Sequence, residues 1–416
     1  MSDLIESALL SVHRAAGAKF AAFGGWNMPV EYSGVLAEHK AVREAVGVFD
    51  VSHLGTFLVE GGDAAAYINT RLSNDLSRIS PGQAQYTLLL NQSGGVVDDM
   101  IIYLLSESAV MVIPNAANSD EVIRRLRDDA PAHLTWTDRH TQDAIIAVQG
   151  PKSASVLDTV GLPSNIGYMS FVRTELASQG QGVSLSVCRT GYTGEHGYEI
   201  VVPAQSAVTV WESLFHHGAQ YGMVPCGLGA RDTLRTEMGY PLHGHDLSPS
   251  ISPVEARVSW AVGWKKEHFD GDEAVRAQRK AGPSRTLLGI RACGRGIPRP
   301  GMPVFDTSGH PLGEVTSGTF SPTLKTGIGL ALMTPAPTPA KVRTDPAPPT
   351  TPPSSAANPS PVLHVTAPVS LDPSTVPLSD TPPGVAVGDH VLVEMRGRTE
   401  EFEVVNPPFV PPHVND

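Results

Sequence analysis

Residues 94–103, GGVVDDMIIY, set Asp98 and Asp99 side by side in a run that otherwise reads as a buried β-strand. Side chains alternate between the two faces of a strand. The pattern therefore predicts Val97, Asp99, Ile101 and Tyr103 on one face and Val96, Asp98, Met100 and Ile102 on the other. Whichever face packs inward takes a carboxylate with it, and burying an ionised carboxylate is costly unless it is paired or hydrogen-bonded. The residues alone leave two readings open. Asp99 is a functional acid lining a cleft, or a structural one that caps a loop or pairs with an arginine.

A chain of 416 residues is long enough for two or three domains with sizeable cores. No stretch of about 18 apolar residues suggests a membrane span. The N-terminus, MSDLIESALLSVHRAAGAKF, reads as an amphipathic first helix and not as a signal peptide, which points to the cytoplasm. Cys188, Cys226 and Cys293 are odd in number and far apart, which argues against a disulfide framework and a zinc site. A formal net charge of −12 argues against a broad nucleic-acid-binding surface. Any anionic partner is met locally, at short basic groups such as Arg231 and Arg235 or Arg396 and Arg398.

Periodicity predicts a helix over 35–50 that stops at Gly47, then a strand, a helix near 63–72, and a hairpin from Tyr86 through a turn at Asn91–Gly95 into the aspartate strand. AVMVIPNA is the next strand, and a helix at about 118–129 has Ser119 and Asp120 as N-cap candidates. A strand, a Gly-Pro turn and a helix follow over 144–160. Residues 183–203 form two strands around a glycine-rich turn, with Glu199 on the face of Val201. Helices at 205–221 and 227–238 complete an α+β pattern. Short strands across 285–333 indicate a small barrel or sandwich, which a Pro-, Thr- and Ser-rich insertion at 334–385 interrupts before HVLVEMRGRTEEFEVV resumes it. Such a composition buries too little surface to offset ordering entropy, so the insertion is expected to be extended or disordered.

No phosphate loop and no GxGxxG between a strand and a helix supports nucleotide binding. HGHD (243–246) is expected to hydrogen-bond locally and not to bind metal. What remains is a set of aromatics and carboxylates: Tyr86, Asp99, Tyr103, Tyr192 and Glu199, with Asn115 and Arg231. Such a set suits a neutral planar heterocycle. A carboxylate accepts two parallel N–H bonds from an amidine-like edge, tyrosines sandwich the ring, and an arginine holds an acidic tail.

The segments EHKAVREAVGVFDVSHLG, QYTLLLNQSGGVVDDMIIY, AVQGP, RTGYTGEHGYE, GLGARDTLRTEMGYPLHGHD, GEVTSGTFSPTL and VEMRGR occur in this order. The chain thereby resembles the T-protein family of the glycine cleavage system, folate-dependent aminomethyltransferases. The resemblance implies an α+β, three-domain cloverleaf around a central folate channel. Domain 1 would be discontinuous, 1–50 and 145–247; domain 2 would be 51–144; and domain 3 would be a C-terminal β-barrel over 248–416. It implies transfer of the one-carbon unit from the aminomethyl-dihydrolipoyl arm of H-protein to tetrahydrofolate, with release of ammonia and formation of 5,10-methylenetetrahydrofolate. Lipoylated H-protein would be the direct partner, with P-protein and L-protein functionally linked. Tetrahydrofolate would be the acceptor substrate, with no metal and no nucleotide.

Carried onto this sequence, the resemblance makes Asp99 the catalytic acid beside the reactive folate nitrogens and Glu199 the acid on the pterin edge. Tyr86, Tyr103, Asn115 and Tyr192 match pocket positions, and Ile101 an apolar wall. Arg231 matches the arginine of the GARD motif, with a structural pairing to Glu237 as the alternative, and Arg396 matches one reaching in from the barrel. Trp260 or Trp264 is a candidate for stacking near the folate. Asp98 is expected to be structural. Rival readings are a folate-dependent demethylase of the same fold and a non-enzymatic folate-binding scaffold for iron–sulfur assembly. The latter branch carries a KGCYxGQE-like segment where this chain has RTGYTGEHGYE.

Overall fold

A computed structural model describes residues 4–178, 181–334 and 385–415, and the expected insertion at 334–385 falls outside them except for its two end residues. Three large sheets organise the described residues, beside a small N-terminal sheet of Ile5–Glu6, Trp26–Glu31 and Lys19–Phe23. The first has six strands in the order Phe171–Ser178, Gln181–Cys188, Gly197–Pro203, Asp143–Gln149, Val46–Asp50 and Met223–Pro225. It is antiparallel except at Met223–Pro225, which runs parallel to Val46–Asp50. All seven residues of Asp143–Gln149 are buried, as expected of a central strand covered on both faces. The second sheet has five antiparallel strands, Gln83–Leu90, Val96–Ser106, Ala109–Ile113, Phe57–Glu60 and Thr135–Asp138. The third closes into a six-stranded barrel whose last two strands, His390–Met395 and Arg398–Val405, follow the insertion. The helix Leu228–Glu237 packs on one side against the helix Val35–Glu44 and the strand Trp26–Glu31 and on the other against the barrel strand Pro311–Ser321. No helix among the described residues is long and apolar enough to cross a membrane.

The aspartate strand departs from simple alternation at one point. Leu89 pairs with Asp98 but Leu90 pairs with Val96, so Val97 is an extra, bulged residue. Val97 consequently joins Met100 and Ile102 in the core beneath the second sheet, and does not share the face of Asp99 as strict alternation predicts. Beyond the bulge the alternation holds, with Ile101 and Tyr103 together in the core facing the first sheet.

Three local expectations are corrected. The helix expected to stop at Gly47 ends at Glu44, and Val46–Asp50 is a strand. The N-terminal segment is helical only over Leu10–Ala15, because Gly17 turns the chain at φ 73° and KFAAF pairs with WNMPVE as a hairpin. Neither Ser119 nor Asp120 caps the following helix. A 3₁₀ turn at Ala116–Asn118 leads into it, and Ser119 is its first helical residue.

Candidate active site

Where the three sheets meet, they enclose a cavity of about 940 Å³, at the upper end of the range for small-molecule sites. Asp99, Ile101, Tyr103 and Asn115 reach it from the five-stranded sheet and its connections, Glu199 and Tyr192 from the first sheet and the glycine-rich turn, and Arg231 from the Leu228–Glu237 helix. Tyr86 lines it too, stacked on Trp260 with ring centroids 5.1 Å apart, and Trp264 is also on the wall. Arg396 is not brought to the cavity. It sits exposed in the tight turn between the last two barrel strands at φ 53°. The cations at the rim are instead Arg78, Arg257 and Arg279, the last lying 4.1 Å from the centroid of the Trp264 ring.

The two aspartates have different surroundings. Asp98 is fully buried and receives the Asn115 backbone N–H at 3.0 Å and the side-chain amides of Asn115 and Asn118 at 2.9 and 2.6 Å. Asp99 remains partly open to the cavity and takes the Tyr86 hydroxyl at 2.9 Å and the Asn115 amide at 2.9 Å. Burial, and next the neighbouring Asp99 charge, push the Asp98 carboxyl up to about 8. Burial also raises Asp99, opposed by His243, Tyr86 and Asn115. Two adjacent carboxyls in one buried site titrate as a pair. His243, expected to bond only locally, instead bridges two segments. Its Nδ1 meets the Asn118 amide at 2.9 Å and its Nε2 meets the Val96 carbonyl at 3.1 Å, bracing the group that satisfies Asp98.

Glu199 is held by a relay. Tyr103 and Thr190 share a hydroxyl contact at 3.0 Å, and Thr190 donates to Glu199 Oε2 at 2.6 Å, which leaves Oε1 without a protein donor among the described residues. The turn that supplies Thr190 and Tyr192 is fastened by Gln149. Its amide donates to the Thr190 and Tyr198 carbonyls at 3.2 and 3.1 Å, and its oxygen accepts from Thr193 at 2.8 Å. A Cβ on Gly191 or Gly197 would fall 2.1 or 2.4 Å from that amide, which accounts for two glycines of RTGYTGEHGYE.

The alternative pairing of Arg231 with Glu237 does not occur. Glu237 is bound by Arg43 at 2.8 Å, and Arg231 lies over the Tyr192 ring, 4.6 Å from its centroid. Burial lowers the Arg231 pKa, partly offset by Glu199, and among the described residues no carboxylate pairs with it directly. Sequence reasoning missed His53, Thr190, His243 and the rim arginines. DVSHLG places His53 just beyond a strand end, but nothing in the local pattern says that the loop turns toward the cavity. Nor does sequence spacing show that Cys293, His390 and Glu401 converge on the barrel surface, with their ligand atoms within 4.8 Å of one another.

Comparison with known proteins places this geometry. The family model of the GCVT N-terminal domain matches residues 9–266, and that of the glycine cleavage T-protein C-terminal barrel domain matches residues 285–347. A relative named aminomethyltransferase from Frankia alni is 52% identical over 413 residues, covering 99% of each chain. One of the same name from Mycobacterium tuberculosis is 46% identical over 408 residues, covering 98% of this chain and 97% of its own. A crystal structure of glycine cleavage system aminomethyltransferase T from Bartonella henselae superposes with a TM-score of 0.80 at 30% identity, covering 99% of both chains.

Proposed function

Because the chain belongs to the glycine cleavage T-protein family, we propose that it is a tetrahydrofolate-dependent aminomethyltransferase whose one-carbon donor is the aminomethyl-lipoyl arm of H-protein. P-protein and L-protein act before and after it, and the system works in the cytoplasm. We further propose that the three sheets mark domains at 1–50 with 145–247, at 51–144, and at 248–416.

The observation that carries the reading is a pair of carboxylates, Asp99 and Glu199, facing one aromatic-walled cavity from two different sheets. The free Oε1 of Glu199 suits the N–H edge of a pterin, and the Tyr86–Trp260 stack lines the same cavity. Loss of ammonia from the aminomethyl group develops iminium-like positive charge. Asp99, fixed by Tyr86 and Asn115, stabilises that charge without reorganising and orients the folate amine. Tyr103, Asn115, Tyr192 and Ile101 shape the pocket, and Arg231 supplies its uncommitted cation. The rim arginines suit the anionic folate tail in place of Arg396.

The test supplies purified protein with tetrahydrofolate and lipoylated H-protein charged by P-protein and glycine, and measures ammonia release. Wild-type chain is expected to release ammonia only when tetrahydrofolate is present. Asp99→Asn is expected to lose about 10²–10³-fold in turnover, the scale for removing a preorganised electrostatic group, while still binding folate. Near-normal turnover in that variant rejects the electrostatic role.

A further inference from the structure

His53 is 2% exposed, and neither of its ring nitrogens makes a hydrogen bond among the described residues. An unsatisfied buried polar group costs about 1–3 kcal/mol, so a fold that retains one invites explanation. The ring is held firmly. Phe23 meets it edge to face at 5.3 Å, and its own carbonyl accepts from His140 Nε2 at 2.9 Å. Its position is equally specific. Beside the main cavity lies a second chamber of about 320 Å³, and His53, Tyr192, Arg231, Leu242 and His245 line both. His53 and Arg231 therefore stand at the seam between the two spaces.

The chemistry of that seam is one-sided. Burial, and next the charge of Arg231, hold the His53 ring down to about 3, so at neutral pH it is an uncharged imidazole with one N–H and one lone pair. Nδ1 is sealed from solvent with no partner. An orphaned buried N–H is disfavoured more strongly than an orphaned acceptor, which places the proton on Nε2. The seam thus offers an N–H donor and an arginine cation that no carboxylate neutralises directly. Asp232 lines the second chamber but is paired with Arg235 at 2.8 Å. A donor beside an unneutralised cation receives a developing anion.

We propose that His53 and Arg231 bind the sulfur of the lipoyl arm as it leaves as a thiolate. The inference rests on the aminomethyltransferase reading. In the step concerned, the C–S bond of the aminomethyl thioether breaks and its electron pair goes to sulfur. The one-carbon unit departs as the iminium ion CH₂=NH₂⁺, and the folate amine captures it. Loss of ammonia and closure onto the second folate nitrogen release the proton that converts the thiolate into the thiol. The heterolysis separates charge, and the site has a group for each product: Asp99 for the cation, and His53 with Arg231 for the anion.

The test runs the reaction in reverse, with dihydrolipoyl H-protein, 5,10-methylenetetrahydrofolate and ammonium, and follows rate against pH for wild type and three variants. The thiolate is the nucleophile in that direction, so the pH midpoint reports how well the site stabilises it. His53→Leu is expected to lower the rate at least tenfold and raise the midpoint by about one unit, with folate affinity, read from tryptophan fluorescence, within twofold of wild type. His53→Gln, whose amide nitrogen reaches the Nε2 position, is expected to restore most of the rate, whereas His53→Asn, which is too short, is not. The other charged and titratable groups around His53, namely Asp50, His140 and Arg231, and Tyr192, Asp232, Arg235, His245 and Arg299 in the second chamber, are the same in every variant. An unchanged midpoint in His53→Leu overturns the proposal. If His53→Leu fails to bind folate, the comparison of Gln with Asn decides, and equal impairment of the two overturns it. A wild-type chain inactive in both directions overturns the functional reading instead.

Discussion

Replacing Arg43 with methionine removes the cation on which two buried carboxylates converge. The guanidinium is 12% exposed and binds Glu195 and Glu237, each at 2.8 Å, whose side chains are 2% and 0% exposed. It also donates to the Thr193 carbonyl at 2.7 Å, inside the turn that carries Thr190 and Tyr192. Removing one partner of a buried pair costs about 3–5 kcal/mol, because the other charge stays buried and uncompensated. Each carboxylate keeps some support here. Glu237 retains Ser321, Thr323 and His39, and Glu195 retains the half-exposed His413 at 3.3 Å. The expected loss for Arg43→Met therefore sits at the low end, about 3 kcal/mol. Urea unfolding of wild type, Arg43→Met, Glu237→Gln and the double variant measures it. The double variant should fall short of the summed single losses by at least about 1 kcal/mol, since the two groups share one network. The loosened turn should also raise the KM for tetrahydrofolate. A single-variant loss below about 1 kcal/mol, or additivity within about 0.5 kcal/mol, refutes the reasoning.

Two further outcomes follow from the same structure. Gly191→Ala drives a methyl group to 2.1 Å from the Gln149 amide oxygen; displacing that amide should weaken folate binding at least tenfold in a fluorescence titration, and an unchanged affinity would show that Gln149 does not set the turn. Asp98, pushed up to about 8 in the folded chain from an ordinary value of 3.8, gives a pH signature of definite sign. Between those values the folded chain holds a proton that the unfolded chain has released, so this group makes stability fall as pH rises, by up to about 1.4 kcal/mol per unit. The difference in urea midpoint between wild type and Asp98→Asn should change steadily from pH 5 to 8, whereas a constant offset means that Asp98 is ionised throughout.

How much of this was legible in the sequence depends on the range over which each residue is determined. Asp99, Ile101 and Tyr103 were placed correctly on one face because a strand's alternation is local. Val97 was misplaced because a bulge is decided by the partner strand, through the slip between Leu89 and Leu90. Glu199 on the face of Val201 was legible for the same local reason, and both line the cavity. The choice between two roles for Arg231 was not, because Glu237 is claimed by Arg43, a residue 194 positions away. Arg396 shows the limit of motif transfer. A motif specifies a turn, and this turn is exposed at a barrel edge away from the cavity. His53 lies beyond both kinds of reading. No periodicity marks a loop histidine, and its significance comes from what it lacks, a hydrogen-bond partner, in a wall shared by two chambers. The aspartate pair shows how the two ranges combine. Local pleating separates Asp98 from Asp99, and only the distant amides of Asn115 and Asn118 decide that one is enclosed and the other left facing the cavity.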